Sequence, residues 1–307
     1  MKHLFIINPA AGSRNRTNEY REKIESVFAG TDLSYRIEVS AAPGDCARIA
    51  KEAAESGEEY RIYSCGGDGT MNEIVNGIAG YPNVSVTMYA GGSGNDFIRL
   101  FSDPSAFQNL EQLLDCKEVE FDLIKCNDRL SINICSVGLD ARIGTDVANY
   151  KRLPLLSGFR AYAVSAVVNV IRGIARHFVV EINGERVDED LTMISICSGR
   201  YYGGGFNPVP EADPTDGLLD VLLVKKVSRL QAATVVGKYK AGKYKELPHL
   251  VRHIQTTSLK ILCDAPSSVQ LDGELLVAQE VDISVAKEKI RFFYPKALTW
   301  EAGKIGV

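Results

Sequence analysis

Gly66-Gly67-Asp68-Gly69-Thr70 follows the apolar run Tyr60–Cys65 and leads into the helix-like stretch Met71–Gly80. A glycine loop between a strand and a helix decides how the rest of the chain is read. Without Cβ atoms, Gly66, Gly67 and Gly69 can take positive φ and bring backbone N–H groups close to an anion, while the helix that follows points its positive end at the same place. Asp68 narrows the reading. A bare carboxylate beside phosphate oxygens is repulsive unless Mg²⁺ or an arriving hydroxyl stands between them. The plain alternative is a structural turn in which Asp68 or Thr70 caps the helix.

Two more loops of the same kind flank this one. Leu4–Ile7 runs into Asn8-Pro9-Ala10-Ala11-Gly12-Ser13, and Val84–Tyr89 runs into Gly91-Gly92-Ser93-Gly94-Asn95-Asp96-Phe97. With helical patterns at Asn18–Phe28 and Asp45–Ser56 and a strand at Tyr35–Val39, residues up to about 120 form a βα series and therefore a mostly parallel sheet. In such a sheet the three loops gather at the carboxyl edge, where ligands bind. Spacing alone leaves a phosphate or nucleotide site and a set of structural turns both standing.

Beyond that point the pattern changes to short alternating runs: Val119–Cys126, Leu130–Cys135, Phe178–Asn183, Thr192–Cys197, Leu218–Val224, Ser258–Leu262, Val269–Leu271 and Val281–Val285. Asn183-Gly184, Asp216-Gly217 and Asp272-Gly273 punctuate them as hairpin turns, which predicts an antiparallel β-sandwich. Helical segments near Asp140–Tyr150, Gly158–Ile174 and Ser228–Lys243 interrupt the strands. No low-complexity linker separates the halves, so a tight interdomain cleft is expected.

Composition sets limits. A chain of 307 residues with 45% hydrophobic content can bury two cores. Its net charge of −4 gives no global basic surface for nucleic acid or strong membrane capture. Seven scattered cysteines without a Cys-x-x-Cys pair fit buried thiols in a reducing cytosol. His3–Ile7 is too short for a signal peptide, and Ala161–Ile174 is too short and too polar to span a bilayer. A soluble cytoplasmic protein is the expectation.

The ordered set Asn8-Pro9…Gly12, Gly66-Gly67-Asp68-Gly69-Thr70-Met71-Asn72-Glu73 and Gly91-Gly92-Ser93-Gly94-Asn95-Asp96-Phe97 resembles the catalytic domain of diacylglycerol kinases, sphingosine kinases and their bacterial lipid-kinase relatives. Gly138-Leu139-Asp140-Ala141, Asp216-Gly217-Leu218-Leu219-Asp220-Val221 and Leu271-Asp272-Gly273-Glu274 are similar to the later landmarks of that family, in order. The resemblance implies an NAD-kinase-like Rossmann-type α/β domain over residues 1–122, joined by 290–307, and a β-rich lipid-substrate domain over 123–289, with the active site between them. It implies ATP bound by Asn8, Pro9, Gly12, Ser13, Gly66, Gly67, Asp68, Gly69, Thr70, Glu73, Gly92, Ser93 and Asn95. It also implies a general base at Glu274 with Asp68 and Asp272 as catalytic partners. Mg²⁺ would be held at Asp68 and Asp122, and a structural Mg²⁺ by Asp213, Asp216 and the Leu218 carbonyl. From pattern alone, Asp272-Gly273 is an ordinary hairpin turn and Glu211–Leu218 a solvated one.

Some features depart from the family. The first loop offers Arg14 and Arg16 as phosphate partners, and Gly158–Ile174 offers Arg160 and Arg172 where some relatives carry a lysine. Gly237-Lys238-Tyr239-Lys240-Ala241-Gly242-Lys243 imitates a P-loop, but Tyr244 replaces its Ser/Thr and no strand precedes it. It reads as a basic surface helix, either solvated or touching anionic lipid headgroups. The histidines show no ligand grouping. The reading is an ATP- and Mg²⁺-dependent kinase for a lipid hydroxyl, diacylglycerol-like, acting transiently at the membrane surface with no nucleic-acid partner. A homodimer stays open. An NAD-kinase-like enzyme sharing Gly-Gly-Asp-Gly-Thr and a nucleotide-binding regulator without turnover are the alternatives.

Overall fold

The structure, a computed structural model, describes residues 1–92, 94–150, 165, 168–169 and 173–300. Ser93, Arg160, Arg172, residues 301–307 and most of the Gly158–Ile174 segment lie outside the described residues.

The first part runs β1 (Lys2–Ile7), α1 (Thr17–Phe28), β2 (Tyr35–Val39), α2 (Asp45–Glu55), β3 (Tyr60–Gly66), α3 (Asp68–Ile78) and β4 (Val84–Ala90). Its strands are parallel, in spatial order β4-β3-β1-β2. Tyr20, Ile24 and Phe28 recur at four-residue spacing on α1 and are buried against the sheet. β1, β3 and β4 are almost wholly buried because helices cover the sheet, whereas the edge strand β2 is not. Two short turns of 3₁₀ helix and α4 (Leu110–Leu114) then lead to β5 (Cys116–Cys126).

The second part comprises β6 (Arg129–Ser131), β7 (Ile134–Gly138), α5 (Leu139–Tyr150), β8 (Arg176–Ile182), β9 (Glu185–Cys197), β10 (Leu219–Lys225), α6 (Arg229–Lys240), β11 (Val251–Thr256), β12 (Ser258–Leu271) and β13 (Glu274–Pro295). Its pairings are antiparallel. Val137, Phe178, Val180, Ile196, Val221, Ile261 and Val281 share its core. The fold is an N-terminal α/β domain with a C-terminal β-sandwich.

The last strand joins the two. β13 forms a hairpin with β12, pairs antiparallel with β5 from Ile283 on with a register shift between Val285 and Lys289, and meets β4 in parallel at Phe292↔Val86. Phe292 is fully buried, with ring centroids 5.3 Å from Phe97 and 5.7 Å from Phe121. The segment Ile290–Tyr294 thus packs into the core of the first part.

Several elements differ from the sequence expectation, each for a physical reason. Ser258–Leu262 and Val269–Leu271 are one strand broken by a bulge between Leu262 and Ser267, where Pro266 has no N–H to give a ladder. Leu130–Cys135 splits into β6 and β7 because the N–H groups of Ile132, Asn133 and Ile134 turn toward a side chain, Asp272. β11, rich in polar residues, was not expected. α3 starts at Asp68 rather than Met71, which places Asp68 in its first turn. All seven cysteines are free, and six are buried. Among the described residues no helix is long and apolar enough to cross a membrane.

Candidate active site

A cleft of about 510 Å³ opens between the loops that follow β1, β3 and β4 and the wall formed by β7, β12 and the start of β13. On the first wall Gly12, Gly66, Gly67 and Gly92 are required by space, whereas a Cβ on Gly69 would make only an ordinary contact. None of Gly66, Gly67 and Gly69 has positive φ, which corrects the expectation that left-handed backbone explains them. A Cβ on Gly92 would stand 2.5 Å from Gly67 Cα, and one on Gly12 would stand 2.9 Å from the Gly91 carbonyl oxygen; real Cβ atoms do not approach that closely. Asn8 Nδ2 donates to Thr70 Oγ1 at 3.1 Å, tying the first loop to the start of α3. Asn95 turns the third loop with φ +50 and donates to the Gly92 carbonyl. Three loops are therefore packed backbone to backbone around the α3 N-terminus, whose first-turn N–H groups lack intrahelical partners.

Asp68 Oδ1 accepts from the backbone N–H of Asp96 at 2.8 Å and of Phe97 at 3.3 Å. Asp96 in turn takes the Gly204 N–H on Oδ2 at 2.7 Å and the Arg99 guanidinium on Oδ1 at 3.1 Å. Burial, then the neighbouring Asp96 carboxyl, push Asp68 up to about 6. Burial raises Asp96 as well. Asp96 belongs to the third glycine motif and was not singled out from sequence; the signal was its place beside Asn95.

On the second wall Asp272 and Glu274 play different parts. Asp272 Oδ2 accepts from Asn72 Nδ2 at 3.0 Å and Ile132 N at 2.8 Å, and Oδ1 from Asn133 N at 3.2 Å and Ile134 N at 2.9 Å. Burial pushes this carboxyl up while the donors pull it back; with both oxygens occupied by N–H groups, it holds the wall together in its ionised form. Glu274 is exposed into the cleft. A Cβ on Gly69 would stand 3.7 Å from its Oε1. Ser136, Gln270 and Tyr202 complete this side. Behind them Asp140, at the start of α5, accepts from Ala141 N at 2.8 Å and from Tyr202 Oη at 3.3 Å, and burial lifts it to about 6.

Of the residues expected to bind nucleotide, Asn8, Gly12, Gly67, Asp68, Gly69, Thr70, Glu73 and Gly92 line the cleft; Pro9, Ser13, Gly66 and Asn95 stand beside or behind it. Ser93 lies outside the described residues. Of the expected metal ligands, Asp68 lines the cleft, whereas Asp122 stands with Asp213 and Asp216 outside it. Asp213 Oδ1 accepts from Thr215 N and Thr215 Oγ1, Asp216 Oδ1 from Leu218 N, and neither the two acids nor Leu218 line the cleft. Asp122 is buried, takes the Gly217 N–H at 2.8 Å and pairs with Lys289 Nζ at 2.9 Å. Among the described residues no group of three or more His, Cys, Asp or Glu side chains could by itself hold a metal ion. Arg14 and Arg16 both pair with Glu19. No lysine, arginine or histidine among the described residues lines the cleft, whereas Asp68, Glu73, Asp96, Asp272 and Glu274 do. An anionic phosphate chain therefore needs a cation brought with it, and the Asp68 carboxylate beside the α3 N-terminus suits Mg²⁺, a hard ion that takes one or two carboxylates plus phosphate oxygens and waters.

Close-packed small-residue loops at the carboxyl edge of a parallel sheet, faced by an acid on a β-sandwich, are the arrangement of a phosphotransferase. Residues 2–126 match the diacylglycerol kinase catalytic domain, and residues 133–294 match the YegS C-terminal NAD kinase beta sandwich-like domain. The chain belongs to the diacylglycerol kinase-like lipid kinase family. It is 25% identical over 297 residues to a Staphylococcus carnosus protein provisionally named a lipid kinase, covering 95% of this chain and 96% of that one. A Staphylococcus aureus protein with the same provisional name is 24% identical over 232 residues, 75% of each chain. The crystal structure of a diacylglycerol kinase from Bacillus anthracis superposes with a TM-score of 0.69 at 20% identity, over 96% of this chain and 97% of that chain, and shows the same fold.

Proposed function

We propose that this protein is an ATP- and Mg²⁺-dependent kinase that transfers the γ-phosphoryl group to the hydroxyl of a diacylglycerol-like lipid, working from the cytoplasm with transient contact to the membrane surface. The observation that carries this reading is the position of Glu274, an exposed acid on the second wall that faces Gly69 in the first turn of α3. The N–H groups of that turn and the small loops around it bind and orient the phosphates. Glu274 takes the proton from the acceptor hydroxyl as oxygen attacks phosphorus. Asp68 is the acid assigned to the catalytic Mg²⁺, and Asp213, Asp216 and the Leu218 carbonyl are assigned to a structural one, whereas Asp122, paired with Lys289 outside the cleft, does not share the first ion with Asp68; when bound, the ion would supply charge neutralisation at the phosphates. Asp272, its oxygens already taken, positions Glu274 by fixing the turn between them.

Incubation with Mg²⁺, ATP and a total lipid extract, followed by mass spectrometry of the lipids, tests the reading. A new phosphorylated glycerolipid is expected. ADP formation with NAD as acceptor and with no lipid would overturn it in favour of the soluble-substrate branch.

A further inference from the structure

The lysine-rich end of α6 has no part in the cleft chemistry, yet it is joined to the cleft rim. Tyr202 and Gly203 line the cleft, and the same loop continues through Phe206 to Asn207. Tyr202 Oη lies 3.3 Å from Tyr239 Oη, the Asn207 N–H donates to the Lys240 carbonyl at 3.1 Å, and the Lys240 ammonium sits 5.4 Å from the Phe206 ring centroid. Tyr239 is buried and anchored on Ser195 at 2.7 Å. Burying Tyr239 turns the neighbouring residues outward: Val236 is 47% exposed, and Lys240, one turn further along the same face, is exposed too.

Charge on this surface runs against the rest of the molecule. Lys238, Lys240, Lys243 and Lys245 stand within eight residues of each other in a chain of net charge −4. Lys238 and Lys243 share one carboxylate, Glu246, at 3.1 and 3.8 Å, and Lys245 pairs with Glu211 at 2.6 Å. Lys240 has no ion pair among the described residues. The patch keeps a net positive charge with an exposed apolar side chain at its edge. That combination is complementary to an anionic bilayer, where clustered lysines bind electrostatically and a small apolar group enters the headgroup layer.

We propose that the exposed face of α6 and the turn after it, Val236 and Lys240 with Lys243 and Lys245, docks this protein on anionic lipid bilayers and sets the rim formed by Tyr202 and Gly203 against the membrane. The proposal rests on the lipid-kinase reading only for its purpose. Binding itself needs no turnover. The attraction is short-ranged, falling off over about 10 Å at moderate salt, so it acts on a surface already beside the lipid and not at a distance.

Vesicle sedimentation tests it, using phosphatidylcholine vesicles with and without phosphatidylglycerol at low and high salt. The wild-type protein is expected on the anionic vesicles at low salt, and not on neutral ones. K240Q/K243Q is expected to weaken that partition about five-fold per lysine, while phosphorylation of a short-chain, water-dispersed diacylglycerol stays at the wild-type rate. A control that removes two lysines from the first domain, K23Q/K51Q, should leave partition unchanged. Wild-type partition by K240Q/K243Q, an equal loss in the control, or no partition by the wild type would each overturn the docking surface. Loss of diacylglycerol phosphorylation by the wild type with vesicle binding intact would instead strike the kinase reading alone.

Discussion

The two walls of the cleft are built by opposite means. The first is backbone against backbone: Gly12, Gly67 and Gly92 hold three loops at separations that no side chain permits, and each loop follows directly from a parallel strand. The second is drawn together by one carboxylate, Asp272, which gathers N–H groups from Asn72, Ile132, Asn133 and Ile134. A wall made of missing side chains resists change through sterics. A wall made around a charge with both oxygens bonded resists it through electrostatics, and the proposed chemistry falls to the acids on the two sides, Asp68 and Glu274.

The contrast is sharpest within one hairpin, at Glu274 and Asp272. Glu274→Gln keeps the volume and the turn but cannot accept a proton. It should lower kcat by about 10²–10⁴-fold with KM for ATP and the melting temperature unchanged. Lipid-dependent ADP release measures it, and near-normal kcat would return Glu274 to a plain hairpin position.

Asp68→Asn attacks the other wall. The amide can still accept from the Asp96 and Phe97 N–H groups, so the loops should stay in place, but the charge that suits Mg²⁺ is gone. Turnover should fall on the order of 10³-fold, since the charge stabilisation a metal supplies is worth several kcal/mol. In the wild type, protonation of a carboxyl raised to about 6 competes with Mg²⁺, so activity should fall as pH drops through that value, and added Mg²⁺ should move the acid limb lower. An acid limb indifferent to Mg²⁺ would remove Asp68 from the metal site.

Asp272→Asn should behave in the opposite way to both. Its amide nitrogen must face a backbone N–H that the carboxylate now satisfies, and a lost charge-assisted hydrogen bond of this kind costs about 2–3 kcal/mol. Denaturant unfolding should show that loss, and kcat should fall less than for Glu274→Gln. A variant as stable as the wild type but without turnover would make Asp272 a chemical group and erase the distinction between it and Glu274.

The first wall was legible in the sequence because phosphate binding concentrates its requirements within a few consecutive residues, and three such loops in a βα series have only one edge of the sheet to occupy. The reason for the glycines was misread even so. Gly67 and Gly92 lie outside the left-handed region, and what they need is room, which depends on contacts between loops far apart in the chain; Gly12 needs room and a positive φ, +78, as well. The second wall was hidden for a similar reason. Asp272-Gly273 is a real hairpin turn, with φ of +49 and +96, and nothing local shows that its side chain organises a segment 140 residues away. β12 and β13 were read as fragments because bulges at Leu262/Ser267 and Val285/Lys289 break their alternation. Tyr202 sat in a glycine-rich loop with no pattern to mark it, and only the fold brings it to Asp140.

Asp140 offers the gentlest test of how the second wall is held. Its carboxyl, lifted by burial to about 6 from an ordinary 3.8, binds a proton more tightly in the folded chain than in the unfolded one. A raised acid therefore adds stability that is fully present below about pH 4 and is lost as pH rises through about 6, by about 3 kcal/mol for a shift of about two pKa units. Asp68 and Asp96 slope the same way, so the comparison must be between proteins and not between pH values alone. Asp140→Asn removes one such group; its single oxygen keeps the acceptor for the Ala141 N–H, and its NH₂, in place of Oδ2, can donate to the Tyr202 oxygen. The difference in melting temperature, variant minus wild type, should rise between pH 4 and 7. A flat difference would mean that Asp140 is solvated in the folded protein.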